Sequence, residues 1–257
     1  MTSLRLEMSA VTPVRPEAEI TSSAPGRQEF RRMEYKFLVD PRRRETVSAW
    51  LSHACLPAPE FPVGRVTSCY YDTRDWDSYF ESIDGDFSKQ KIRLRWYDAL
   101  PWSGLATAFL EAKEKEGFET WKRRVQLDLD ASPLRNRELS VALPNTALQL
   151  ALADLGVFDA PGLLPAVLIS YRRERFVEPV SGLRLALDSE IEAYQLRHGT
   201  NWPMTRLPSV VLEVKGRFTE LPLKLRGLKR FAEVWSAHSK YSLAVEALAG
   251  GIGPLSP

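Results

Sequence analysis

The stretch Lys89 to Asp98, KQKIRLRWYD, alternates cations at Lys91, Arg93 and Arg95 with bulky apolar residues at Ile92, Leu94 and Trp96. A period of two residues marks a β-strand whose two faces meet different surroundings. The alternation recurs along the chain in EFRRMEYKFLV, RVTSCYYDT, KIRLRWYD, TAFLEAKEK, TWKRRVQLDL, AVLISYRRERFV, LRLALDSEIEAY and SVVLEVKGRF. These eight segments commit the chain to a β-rich fold with one apolar and one charged side. Helical spacing appears three times: at Val47, Trp50, Leu51 and Ala54; at Leu148, Leu152 and Leu155 before Gly156; and at Leu228, Phe231 and Trp235. The expected fold class is therefore α+β, an eight-stranded antiparallel β-barrel or tunnel with peripheral helices, since closure removes the sheet edges.

The charged faces need an explanation. Arg32, Glu34 and Lys36 share one parity against Met33, Tyr35, Phe37 and Val39, and Glu111, Lys113 and Lys115 oppose Leu110 and Ala112. Lys122 and Arg124 oppose Trp121 and Val125; Arg184, Asp188 and Glu190 oppose Leu185, Leu187 and Ile191; Glu213, Lys215 and Arg217 oppose Val210, Leu212 and Val214. For any one strand, a solvated sandwich face is the ordinary explanation. Two features favour an interior instead. Arg and Lys dominate and recur two residues apart, and the opposite faces carry Trp96, Phe37 and Trp121, an apolar surface that the amphipathic helices need to cover.

Cations enclosed together repel, at a cost on the order of 4 kcal/mol for a pair about 4 Å apart at an effective dielectric near 20. Such a lining calls for an anion, and Arg forks with Lys point charges grip phosphate oxygens, many strands together suiting a long or multiply charged phosphate. Glu34, Glu111 and Glu213 on the same faces could hold Mg²⁺ or Mn²⁺, or could each serve as a salt-bridge partner that fixes a Lys.

Net charge over the 257 residues is only +2, so any basic site is a local concentration of charge. Cys55 and Cys69 form no CxxC and have no paired histidine, which points to buried free thiols. Residues 1–27, rich in Pro, Ser, Thr and Ala, read as a disordered leader without the apolar core of a signal peptide, and 28–250 as a single domain. No apolar run approaches the roughly 18 residues of a membrane span, which leaves the cytoplasm as the expected location. His53, His198 and His238 are expected to be structural, and no Ser-His-Asp or Cys-His set is evident.

RMEYKF, SCYYDT, KIRLRW, FLEAKEKEG followed by KRRV, SYRRERF, LRLALDSEI, LEVKG and HSKYS, in that order, resemble the VTC domain, the polyphosphate polymerase domain within the triphosphate tunnel metalloenzymes. The resemblance runs from about Glu29 to Ser242. It implies a tunnel that binds ATP and inorganic polyphosphate and, with a divalent metal such as Mn²⁺ or Mg²⁺, transfers the γ-phosphate of ATP onto the polyphosphate chain. By position, Lys36, Arg93, Arg95, Lys113, Lys122, Arg173, Arg184 and Lys240 match the family's phosphate-binding residues, and Glu213 its metal-binding glutamate.

Arg93, Arg95 and Arg173 are assigned on this basis to the transferring phosphoryl group. Lys36, Lys113, Lys122 and Lys240 are assigned to nucleotide and chain phosphates, with Arg124, Arg184 and Lys215 beside them, and Glu213 with Glu34 to the metal. Relatives that hydrolyse or cyclise carry ExExK in the first strand; here Arg32 replaces the first Glu, which favours gripping phosphate over activating water. Arg175 departs from a position more often held by a small residue. A triphosphate hydrolase on the same tunnel, or a noncatalytic polyphosphate- or nucleotide-binding module, are the rival expectations. Nucleic acid is not an expected partner, because the basic residues are interior and net charge is near neutral.

Overall fold

The computed structural model describes residues 32–117, 119–158, 160, 162–197, 203–217, 220–230, 232–234 and 239–250. The leader expected over 1–27, together with His198 and His238, lies outside them. The elements in chain order are β1 (Arg32–Val39), a 3-10 turn (Pro41–Arg43), α1 (Arg44–Ala54), β2 (Leu56–Pro57), β3 (Val63–Asp72), α2 (Asp77–Asp84), β4 (Ser88–Tyr97), β5 (Leu105–Glu116) and β6 (Glu119–Asp130). There follow α3 (Ala131–Arg135), α4 (Leu139–Ala142), α5 (Asn145–Asp154), β7 (Leu164–Val177), β8 (Arg184–Gln195), β9 (Met204–Leu207), β10 (Val210–Arg217), a 3-10 segment (Leu223–Arg230), β11 (Ala232–Val234) and α6 (Lys240–Ala249). All eight segments with period-2 alternation are strands. Among the described residues no helix is long and apolar enough to cross a membrane.

One antiparallel sheet runs in the order β11-β1-β10-β8-β7-β3-β4-β5-β6, with β2 added to β7 and β9 to β8. It is strongly curled. Lys113 of β5 pulls on the Glu34 carboxyl of β1, although six strand steps would separate them by roughly 29 Å in a flat sheet and charges are screened over about 10 Å. The barrel nevertheless does not close: among the described residues β6 pairs only with β5. The edge that β1 would offer is taken over Phe37–Val39 by β11, so the sheet is a trough and not a sealed tunnel.

Helices cover the convex side, as the apolar parity requires. Ile92, Leu94, Trp96 and Leu110 pack against Leu134, Leu148 and Leu152 of α3 and α5. Phe37, Leu212, Val214 and Leu185 pack against Val47 and Leu51 of α1 and Leu225 and Leu228 of the 3-10 segment. Gly156 ends α5 at φ +70, a left-handed conformation that a side chain would strain, and Arg123 Nη1 lies 2.7 Å from where a Cβ would sit and would have to shift. Cys55 and Cys69 are free and buried, and burial pushes both thiols up.

Three expectations are corrected. The spacing Leu228, Phe231, Trp235 does not form an α-helix: Leu225 and Leu228 recur every three residues on a 3-10 segment, after which the chain extends as β11. The side chains of Phe231 and Trp235 lie outside the described residues. The face shared by Arg184 and Asp188 does not include Glu190, because a bulge at Glu190 (φ 52) adds a residue opposite β7 and turns Ile191 and Ala193 to the concave side instead. Glu190 itself lies outside, 3.8 Å from Arg65. The concave side is also not charged throughout, since α6 enters it and packs Tyr241, Ala244, Val245 and Leu248 against Val66, Tyr70, Ile169, Tyr171 and Val211.

Candidate active site

The concave side chains form two ion-pair networks. Across the β4–β5 ladder, Arg93 lies opposite Glu111 and donates to it from Nε at 2.6 Å. Lys122 of β6 reaches the other Glu111 oxygen at 3.2 Å, and Arg95 Nη1 lies 3.7 Å away. Arg95 also donates to Ser68 Oγ at 2.9 Å, and Arg93 Nη1 to the Tyr70 hydroxyl at 3.1 Å. Glu111 is 2% exposed. Burial alone would raise its carboxyl, but Arg93, Arg95 and Lys122 outweigh it and hold the group at about 2.

On the opposite wall Arg173 holds Asp188 by a bidentate fork, at 2.6 and 2.7 Å. Lys240 Nζ bridges Asp188 at 2.6 Å and Glu213 at 2.9 Å. The second Glu213 oxygen meets Lys215 at 2.9 Å and Arg173 at 3.4 Å, and Lys215 continues to Glu34 at 3.6 Å, which also has Lys36 at 3.5 Å. Burial would raise the Glu213 carboxyl, yet Lys240, Arg173 and Lys215 together hold it well below the usual range. Lys240 opens α6 behind its cap Ser239. Its ammonium is locked between two buried carboxylates and does not stand free at a rim.

The sequence-derived residues thus converge with two exceptions. Arg184, exposed at the start of β8, faces Lys215 in the ladder, and Arg124 lies over the Phe109 ring, 4.9 Å from its centroid; among the described residues neither joins an ion pair. The two proposed metal ligands stand close together, because Glu34 and Glu213 both contact the Lys215 ammonium. No three acidic, His or Cys side chains among the described residues converge as a metal site. Two carboxylates on one cation position, with phosphate oxygens completing the shell, nonetheless fit the donor set of Mg²⁺ or Mn²⁺ once Lys215 gives way.

Sequence reasoning passed over Asp188 and Lys91 as site members, and favoured core filling over a hydroxyl-donor role for Tyr70. Lys91 shares the Arg93 parity and hydrogen-bonds Ser239 Oγ at 3.0 Å. Burial, with Lys113 and Lys36 nearby, lowers its ammonium to about 8 despite Tyr70. Tyr70 stacks on Tyr241, centroids 4.9 Å apart; burial would raise its hydroxyl, but Arg93 and Arg95 bring it down to about 8. Burial likewise lowers Lys113 and Lys122. A bound anion favours protonated Lys91 and neutral Tyr70, so affinity for inorganic tripolyphosphate is expected to fall as pH rises through about 8. Titration calorimetry one pH unit either side of that value, at constant ionic strength, checks this; equal affinities would remove both groups from the anion site.

This is a concave wall on which fixed cations outnumber the acids that hold them, and the comparison with known families agrees with it. The family model of the VTC domain matches residues 31–249. The chain belongs to the VTC domain family. No curated protein sequence matches this VTC domain. Among solved structures it is similar to a candidate adenylate cyclase from Bacillus halodurans at 15% identity and TM-score 0.46, covering 82% of this chain and 95% of that one. It is also similar to the Mediator head module of Schizosaccharomyces pombe at 11% identity and TM-score 0.34, covering 86% of this chain and 94% of that one.

Proposed function

We propose that this VTC domain is a polyphosphate polymerase, in which a terminal oxygen of the polyphosphate chain attacks the γ-phosphorus of ATP and ADP leaves. One observation carries the reading. Each of the four carboxylates in these two networks, Glu34, Glu111, Asp188 and Glu213, is bound by at least two Arg or Lys side chains. The acids thereby serve to position cations, while among the described residues Lys91 and Lys113 have no carboxylate within ion-pair distance. Phosphoryl transfer needs in-line placement and charge neutralisation more than covalent help, and cations already held rigid need not reorganise.

Arg93, Arg95 and Arg173 neutralise the transferring group in this reading. Lys36, Lys113, Lys122, Arg184, Lys215 and Lys240 hold nucleotide and chain phosphates. Glu34 and Glu213 would hold a divalent ion, which would supply charge neutralisation at the phosphates. The catalytic unit is residues 28–250, acting in the cytoplasm. Incubation of the purified protein with ATP and Mn²⁺, with the product sized on a gel, tests the proposal. A ladder of phosphate chains is expected. Free phosphate without chains would make the protein a hydrolase, and tight polyphosphate binding without turnover would make it a noncatalytic module.

A further inference from the structure

Four planar groups adjoin one another at one end of the arginine network. The Arg175 guanidinium lies over the Tyr97 ring, 5.9 Å from its centroid, and Nη1 is tethered to the Phe61 carbonyl at 2.8 Å. Tyr97 and Phe109 meet edge to face at 6.0 Å and 65°, and the Arg124 guanidinium lies over Phe109. Tyr97 is 38% exposed and Phe109 half-buried, so neither ring is core filling. Phe109 lies directly opposite Arg95 in the β4–β5 ladder, and Tyr97 is two residues beyond Arg95 on the same face. Inorganic phosphate gains nothing from an aromatic edge or a guanidinium already committed to a ring. A flat heterocycle gains from both, because ring faces and Arg planes stack on any base.

We propose that Tyr97, Phe109, Arg124 and Arg175 form a subsite for the aromatic base of a nucleoside triphosphate, whose phosphates then fall on Arg95 and Arg93. The proposal rests on the nucleotide reading of the trough. It also gives Arg175 a task that the phosphate network does not: among the described residues it makes no ion pair, and it serves to present the Tyr97 ring.

Titration calorimetry of the full chain with ATP and, separately, with inorganic tripolyphosphate tests this. Tyr97→Ala should weaken ATP binding about tenfold and leave tripolyphosphate affinity within about twofold. Arg175→Ala should act in the same direction, and Tyr97→Leu, which keeps apolar volume, serves if the alanine variant does not fold. ATP affinity unchanged in these variants, or equal losses for both ligands, would overturn the base subsite and leave the phosphate trough standing. Failure of the wild-type chain to bind either ligand would overturn the trough reading and the subsite with it.

Discussion

In the proposed polymerase reaction, Arg93→Ala is expected to slow chain elongation by about 10²- to 10³-fold in kcat, with a much smaller change in KM. The guanidinium is held on two sides, by Glu111 and by the Tyr70 hydroxyl, so its remaining N–H groups keep a fixed direction while charge develops on the transferring phosphoryl group. Uniform phosphate binding would appear as a raised KM, whereas contact made only in the transition state appears in kcat. The fold should survive, because Arg95 and Lys122 still neutralise Glu111. Arg93→Lys restores the charge without the fork, and is expected to recover only part of the rate. A variant with unchanged kcat would move the transfer step away from Arg93.

Glu111→Ala should cost about 3–5 kcal/mol of folding stability, because it strands Arg93, Arg95 and Lys122 without their shared partner on a buried wall. The pH dependence has a definite sign. The folded carboxyl is held at about 2, below its unfolded value, so its contribution is fully present above the ordinary carboxylate range and is lost as pH falls through that range towards about 2. Urea unfolding of wild type and variant as a function of pH reads this directly: the gap should be widest near neutrality and close in acid. Tripolyphosphate should stabilise the variant more than the wild type, since an anion replaces the missing carboxylate. A variant as stable as wild type at neutral pH would show that solvent already neutralises the three cations.

Much of this arrangement is legible in residue order. Period-2 alternation located every long strand and put Arg93, Arg95, Lys113 and Lys215 on one side, because side-chain parity is local geometry that tertiary structure rarely overrides. Parity fails where a residue is inserted: the bulge at Glu190 reverses faces within β8, and no residue type at that position announces it. The final helix was legible but misplaced. Ser239 as a cap and Tyr241, Ala244, Val245 and Leu248 at helical spacing mark α6, whereas Leu228 suggested a helix where the chain turns 3-10 and then extends.

The sequence by itself determined which side chains share a face and that Arg and Lys dominate it. Only the tertiary structure decided how far the sheet curls, that β11 occupies the edge needed for closure, and that α6 plugs part of the interior. It also decided the partners: Glu111 finds Lys122 across a ladder, and Lys240 finds Glu213 from the start of a helix 27 residues further on. The division has a physical reason. Face parity follows from the backbone repeat within one strand, but curvature, closure and ion pairing depend on register between strands distant in sequence, which hydrophobic packing on both sides of the sheet sets together.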